Sequence, residues 1–218
     1  MRRYRCLVLD HDDTVVQTER AIGYPYFREY LRKIRPGAEI SFREYVHLFH
    51  NAVFPEVCRS HWQFTEEEQA EEYRDWQIYR RTRVAPLCPG IDSVIRHQKA
   101  EGGLICVVSL SDREDVIHDY RHHFGFEPDA VYGKELPRHQ RKPEPWPLFD
   151  IMERFGLKPE QMLMVDDMRL GWSMASAAGI ETAFAAWCRQ DFPELLTDMK
   201  EICRFFFDST EKLEEFLF

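Results

Sequence analysis

The stretch Cys6-Leu7-Val8-Leu9-Asp10-His11-Asp12-Asp13-Thr14 decides how the chain is read. Four consecutive apolar residues run straight into an acid. Two other segments repeat that grammar: Leu104-Ile105-Cys106-Val107-Val108 ends at Ser109, and Met162-Leu163-Met164-Val165 ends at Asp166. Unbroken apolar character, instead of alternation, fits strands covered on both faces, as in a parallel sheet flanked by helices. In such open sheets ligands bind just beyond the carboxyl ends of the strands, where each run places its polar residue. The expected fold class is therefore α/β, a doubly wound, Rossmann-like parallel sheet in which three distant segments converge on one site.

The intervening sequence reads as helix. Phe149, Met152 and Phe155 follow Pro147 at helical spacing, and Ala175, Ala177 and Ala178 run into Gly179, a C-terminal stop. Ile180 to Ala186 and Arg204-Phe205-Phe206-Phe207 read as further strands, followed by an amphipathic last helix carrying Leu213, Phe216 and Leu217. Residues 19–86 differ, because no buried-strand run occurs there. Phe27, Tyr30, Leu31 and Ile34 recur at i, i+3, i+4 and i+7. Ser41 with Glu44, and Thr65 with Glu68, are capping-box signatures. The expected organisation is a sheet domain of residues 1–18 and 87–218 with an all-helical insert, 19–86, after the first strand; Pro86 and Pro89-Gly90 mark the return.

Composition narrows the function. The 218 residues include 16 Phe, 9 Tyr and 5 Trp, enough for a packed core, and 29 Lys and Arg against 38 Asp and Glu give a formal charge of -9. That charge repels nucleic acid in the absence of a basic stripe. The nearest candidate, Arg80-Arg81-Thr82-Arg83, ends a segment that begins with Glu, as the helix macrodipole favours. Six scattered cysteines without a CxxC pair read as reduced thiols, and the apolar run after Met1-Arg2-Arg3 is too short for a signal peptide. No stretch approaches the roughly 20 apolar residues of a membrane span. The expectation is a cytoplasmic protein with no nucleic-acid or membrane partner; both a monomer and a dimer fit.

Asp10 and Asp12 fall on one side of an extended chain, because side chains alternate, so two carboxylates share a pocket. His11, between them, points the other way and reads as a packing residue or one that supports a site residue from behind, not as a ligand. In Ser109-Leu110-Ser111-Asp112 the hydroxyls and loop amides suit phosphate oxygens. The prolines around Lys142 in Arg141-Lys142-Pro143-Glu144-Pro145 stiffen its stem and aim its charge at the sheet edge. Asp166-Asp167 brings two more acids, costly to cluster unless a hard cation neutralises them.

In chain order these residues resemble the four motifs of the haloacid dehalogenase-like hydrolases: DxDxT in Asp10 to Thr14, Ser or Thr at Ser109, Lys at Lys142, and an acidic pair at Asp166-Asp167. The resemblance spans Arg5 to about Phe207, and the insert is similar to that family's helical cap, which closes over the site and selects substrate. It implies a magnesium-dependent phosphatase of small phosphorylated metabolites. Asp10 is then the nucleophile that forms an aspartyl-phosphate, Asp12 the general acid and base, and Ser109 and Lys142 the phosphate ligands. Asp10, the Asp12 backbone carbonyl, Asp166 and Asp167 are the implied magnesium ligands. The chain departs from the pattern twice: Asp13 stands where relatives often have Gly, and Gly171 where a second metal-binding acid is expected, so the metal shell rests on the adjacent acidic pair. A phosphomutase shares every motif. From other classes, a phospho-receiver domain or a catalytically silent phosphate-binding protein is the rival.

Overall fold

The computed structural model describes residues 3–50 and 52–218. Met1 and Arg2, which open the expected sheet domain, and Asn51, within the expected insert, lie outside the described residues. The chain divides into two compact units, one made of residues up to Gln17 and from Leu87 onward, the other of Thr18–Pro86.

The first unit is built on a six-stranded, wholly parallel sheet: β1 (Cys6–Leu9), β2 (Leu104–Val108), β3 (Ala130–Tyr132), β4 (Met162–Asp166), β5 (Glu181–Ala185) and β6 (Phe205–Phe207), in the order β3-β2-β1-β4-β5-β6. All four residues of β1 are fully buried. Cys6 and Val8 share one apolar cluster with Leu148, Ile151, Met174 and Ala175, while Leu7 and Leu9 fill the opposite face, so the run has no polar alternate. The strand order reverses direction between β1 and β4, where Leu9 pairs in register with Val165. That reversal opens a crevice at the carboxyl ends of those two strands, and Asp10 and Asp166 stand at its rim.

The sequence did not single out β3. It is three residues long at the sheet edge, with Val131 only half-buried, too short to carry a period. The alanine-rich helix ends at Ala177 and Gly179 has a φ of 70°, the left-handed conformation that stops a helix. The last helix, Thr210–Leu217, buries Leu213 and Leu217.

The second unit holds α1 (Tyr24–Ile34), α2 (Phe42–Phe49), α3 (Phe54–Trp62) and α4 (Glu66–Arg81). Both expected capping boxes are formed: Ser41 and Thr65 each accept from the backbone N–H three residues on, and Glu44 and Glu68 reach back to the capping residue's N–H. The core is aromatic. Phe27, 1% exposed, lies 5.2–5.7 Å between ring centroids from Tyr45, Phe49, Phe54 and Trp62. Of the basic run that ends α4, Arg80 is buried and donates from Nη1 to the Arg83 carbonyl at 2.6 Å, while Arg81 and the Arg83 side chain are exposed. No helix among the described residues is long and apolar enough to cross a membrane.

Candidate active site

Asp10 sits one residue past β1, yet its backbone stays in the sheet, donating its N–H to the Val165 carbonyl at 2.9 Å. The chain then turns sharply. Val15 and Val16 both donate to the His11 carbonyl, and Asp13 donates to that of Val16. The turn forces Asp13 to a φ of 56°, a region where a Cβ is strained and glycine is at ease. His11 points away from the acids, fully buried, with Nε2 3.0 Å from Asp119 Oδ2, which suits the packing role its place in the alternation gives it.

The Asp12 carboxylate meets the end of β2. Its Oδ2 accepts from Ser111 Oγ at 2.6 Å and from Ser109 Oγ at 3.2 Å, while the Ser111 N–H donates back to Ser109 Oγ. The Ser109 hydroxyl, expected on phosphate from the sequence, therefore also orients Asp12. Ser111 does so more closely.

Lys142 is 3% exposed and spans β1 and β4: Nζ lies 2.9 Å from Asp10 Oδ1 and 2.6 Å from Asp166 Oδ2. Burial opposes its charge, but the two carboxylates outweigh burial and raise its pKa. Asp10 is pushed well above the ordinary carboxylate range, first by burial, with Lys142 pulling it down and the neighbouring acids pushing it further up. Burial likewise raises Asp166 to about 6 against the pull of Lys142. Asp166 Oδ1 accepts the Met168 N–H at 2.8 Å.

Asp167, with no exposure, is held by a residue that sequence reasoning missed. Arg189 lies four residues past β5, 5% exposed, and contacts Asp167 Oδ2 through Nε at 2.8 Å and Nη2 at 2.6 Å. Its Nη1 reaches Asp13 Oδ2 at 2.8 Å. The available signal was an arginine just beyond the apolar run Ile180 to Ala186, at the same end of a strand as the other polar residues.

Asp10, Asp166 and Asp167 form a buried group whose oxygens lie within 4.8 Å of one another, and Asp167 Oδ1 has no hydrogen-bond partner among the described residues. An orphaned buried carboxylate oxygen beside two further carboxylates of raised pKa fits a hard divalent cation. The Asp12 side chain is not in that group; the sequence reading had assigned only its backbone carbonyl to the metal. Gly171 has a steric reason as well. A Cβ there would collide with Asp166 Oδ2, so the Asp166 carboxylate takes the space a further acid would need.

Residues 4–179 match the family model for the haloacid dehalogenase-like hydrolases. Solved structures share the fold. A Haemophilus somnus protein described as a predicted phosphoglycolate phosphatase superposes with a TM-score of 0.76 at 18% identity over 99% of each chain. CbbY from Rhodobacter sphaeroides, solved with xylulose 1,5-bisphosphate, gives 0.74 at 16% over 96% of each. A hydrolase of the same family from Deinococcus radiodurans, solved with phosphate and sodium, gives 0.72 at 15% over 98% of this chain and 94% of that one. No curated protein matches the sequence significantly.

Proposed function

The chain belongs to the haloacid dehalogenase-like hydrolases, and from that premise we propose that it is a magnesium-dependent phosphatase of a small phosphorylated metabolite. The observation that carries the reading is the Asp10 carboxylate, buried at the strand-order reversal between Lys142 and the Asp166-Asp167 pair, with a second carboxylate, Asp12, tethered two residues on.

Asp10 is the nucleophile. It attacks phosphorus, forming a phosphorus–oxygen bond as the ester oxygen departs, and Asp12 gives that oxygen its proton. Asp12 then takes a proton from the water that cleaves the aspartyl-phosphate. The Ser111 hydroxyl on Oδ2 keeps the Asp12 carboxyl facing the reaction through both steps, and the single O–H of Ser109, which reaches Oδ2 less closely, turns to the phosphoryl group. Lys142 carries three N–H groups; with two directed at Asp10 and Asp166, a third remains for a phosphoryl oxygen, and Ser109 supplies the other contact. Asp10, the Asp12 carbonyl, Asp166 and Asp167 would hold the magnesium ion, whose chemistry is to neutralise charge so that a carboxylate can approach a phosphate.

Phosphate release from a panel of phosphorylated metabolites, measured with magnesium and with a chelator, tests the proposal. Release that requires magnesium supports it, and full turnover in metal-free buffer overturns the site as drawn. Delivery of the phosphoryl group to a second substrate hydroxyl instead of water marks a phosphomutase. The uptake of phosphate by Asp10 without turnover marks a receiver.

A further inference from the structure

Of the two departures from the family pattern, Asp13 in place of Gly contacts a buried side chain, Arg189, and Gly171 in place of an acid lies against Asp166. We propose that Arg189 is a positioning residue that fixes Asp167 as a one-oxygen metal ligand, and that Asp13 is the anchor that fixes Arg189. The inference deepens the metal-dependent reading above and rests on it.

The geometry is specific. Two nitrogens of the guanidinium converge on one oxygen, Asp167 Oδ2, at 2.8 and 2.6 Å, and leave Oδ1 without a hydrogen-bond partner among the described residues. A carboxylate with one oxygen so engaged presents the other singly to a cation. The planar fork explains why an arginine stands here, because the tetrahedral donors of an ammonium cannot converge in pairs on the one oxygen Asp167 Oδ2 while a third reaches Asp13.

Asp13 has a matching explanation. Its φ of 56° strains any residue with a Cβ, and glycine would relieve that strain. An aspartate there makes physical sense if its carboxylate does something glycine cannot, and it grips Nη1 at 2.8 Å. The loop carrying Arg189 is pinned to the same turn a second time, by Trp187 Nε1 donating to the Thr14 carbonyl at 3.0 Å. With Gly171 leaving no room for a further acid, the orientation of Asp167 bears more of the coordination than it would in a larger ligand set.

Ion selectivity is the consequence. Magnesium demands a tight octahedron and accepts carboxylate oxygens singly, whereas calcium readily takes both oxygens of one carboxylate. Arg189 occupies the oxygen that a two-oxygen mode would use, and so disfavours calcium.

The test is calorimetric titration of the substrate-free protein with magnesium and with calcium, which needs no activity. Arg189→Met alone leaves Asp13 and Asp167 buried without their cation and endangers folding. The informative variant is therefore Arg189→Met with Asp13→Gly, which removes the cation and its anchor together and puts glycine where φ favours it. Losing the residue that orients a metal ligand typically costs about tenfold or more in affinity, and calcium can recover the freed oxygen. The magnesium-to-calcium affinity ratio should fall about tenfold in the double variant, fall in Arg189→Lys, which keeps the charge without the fork, and fall by less than in the double variant in Asp13→Gly, which frees Arg189 from its anchor but leaves it beside Asp167. An unchanged ratio in a folded double variant overturns the proposal while leaving the metal site standing. Failure of the wild-type protein to bind either ion removes the metal site itself, and this inference with it.

Discussion

The two units differ in how they bury charge: the helical unit buries Glu72 and Arg80, while the sheet unit buries a whole cluster. The sheet unit places Lys142, Arg189, Asp10, Asp166 and Asp167 out of water at one strand-end crevice, whereas the helical unit fills its centre with the rings around Phe27. Most charge pairs of the helical unit lie outside: Arg32 with Glu39, and Lys33 with Glu71 and Asp75, are largely exposed. Exposed pairs add little to stability, and buried ones are often net costs relative to an apolar core. A fold has no need of two buried cations and, with Asp13, four buried acids at one spot. Their number in one crevice, against the buried Glu72 and Arg80 of the other unit, marks the crevice as a site of chemistry, because ionisable groups are desolvated together where their perturbed charge is used.

The comparison can be broken from the sheet unit first. Lys142→Ala should lower turnover by about two or more powers of ten, read by steady-state kinetics; unchanged kinetics would return Lys142 to a structural role. It should also destabilise the fold by about 3–5 kcal/mol, since Asp10 and Asp166 lose their partner, with denaturant unfolding as the check. The pH response has a defined sign. Burial raises Asp166 in the folded state to about 6, above its ordinary 3.8, so its contribution is full below about 3.8 and is lost as pH rises through about 6. Metal-free protein should therefore become less stable from pH 4 to pH 7 on account of this group, and more steeply so without Lys142.

In the helical unit the largest effect should come from Phe27→Ala, about 3–5 kcal/mol through loss of the ring that contacts five others. Hydrogen exchange would show the protection lost in residues 18–86; loss below about 1 kcal/mol would mean that the rings repack without it. The smallest effect sharpens the contrast. Glu68 is lowered to about 2, first by its hydrogen bonds from Arg35 and then by the Thr65 N–H. A lowered acid contributes above its ordinary 4.5 and loses that contribution as pH falls through about 2, the reverse of Asp166. Glu68→Gln should cost about 1 kcal/mol at neutral pH and nothing near pH 2, measured by unfolding at both.

What the sequence disclosed follows the range of each interaction. The buried strands were legible because four or five consecutive apolar residues leave little other reading, and both capping boxes because their partners sit three residues apart. Helix α3 escaped individual notice, since it starts at Phe54-Pro55 with no side-chain cap. The contact of Lys142 with Asp10 crosses 132 positions, and only the order of motifs suggested it. Arg189 had no motif to announce it. Asp13 and Gly171 were visible as departures, but Asp13 is explained by an ion pair with Arg189, far along the chain, and Gly171 by a collision with the folded-back side chain of nearby Asp166, which spacing alone does not disclose.

In the proposed mechanism Asp10 and Asp12, two residues apart, do different work. Mass spectrometry of quenched reactions with an acyl or activated aryl phosphate, whose leaving group needs no proton, tests it most directly. Asp12→Asn keeps the nucleophile but cannot activate water, so a phosphate adduct should accumulate on Asp10, while Asp10→Asn should carry none and turn over nothing. Wild-type turnover by Asp10→Asn, or an adduct on any residue other than Asp10, would contradict the account.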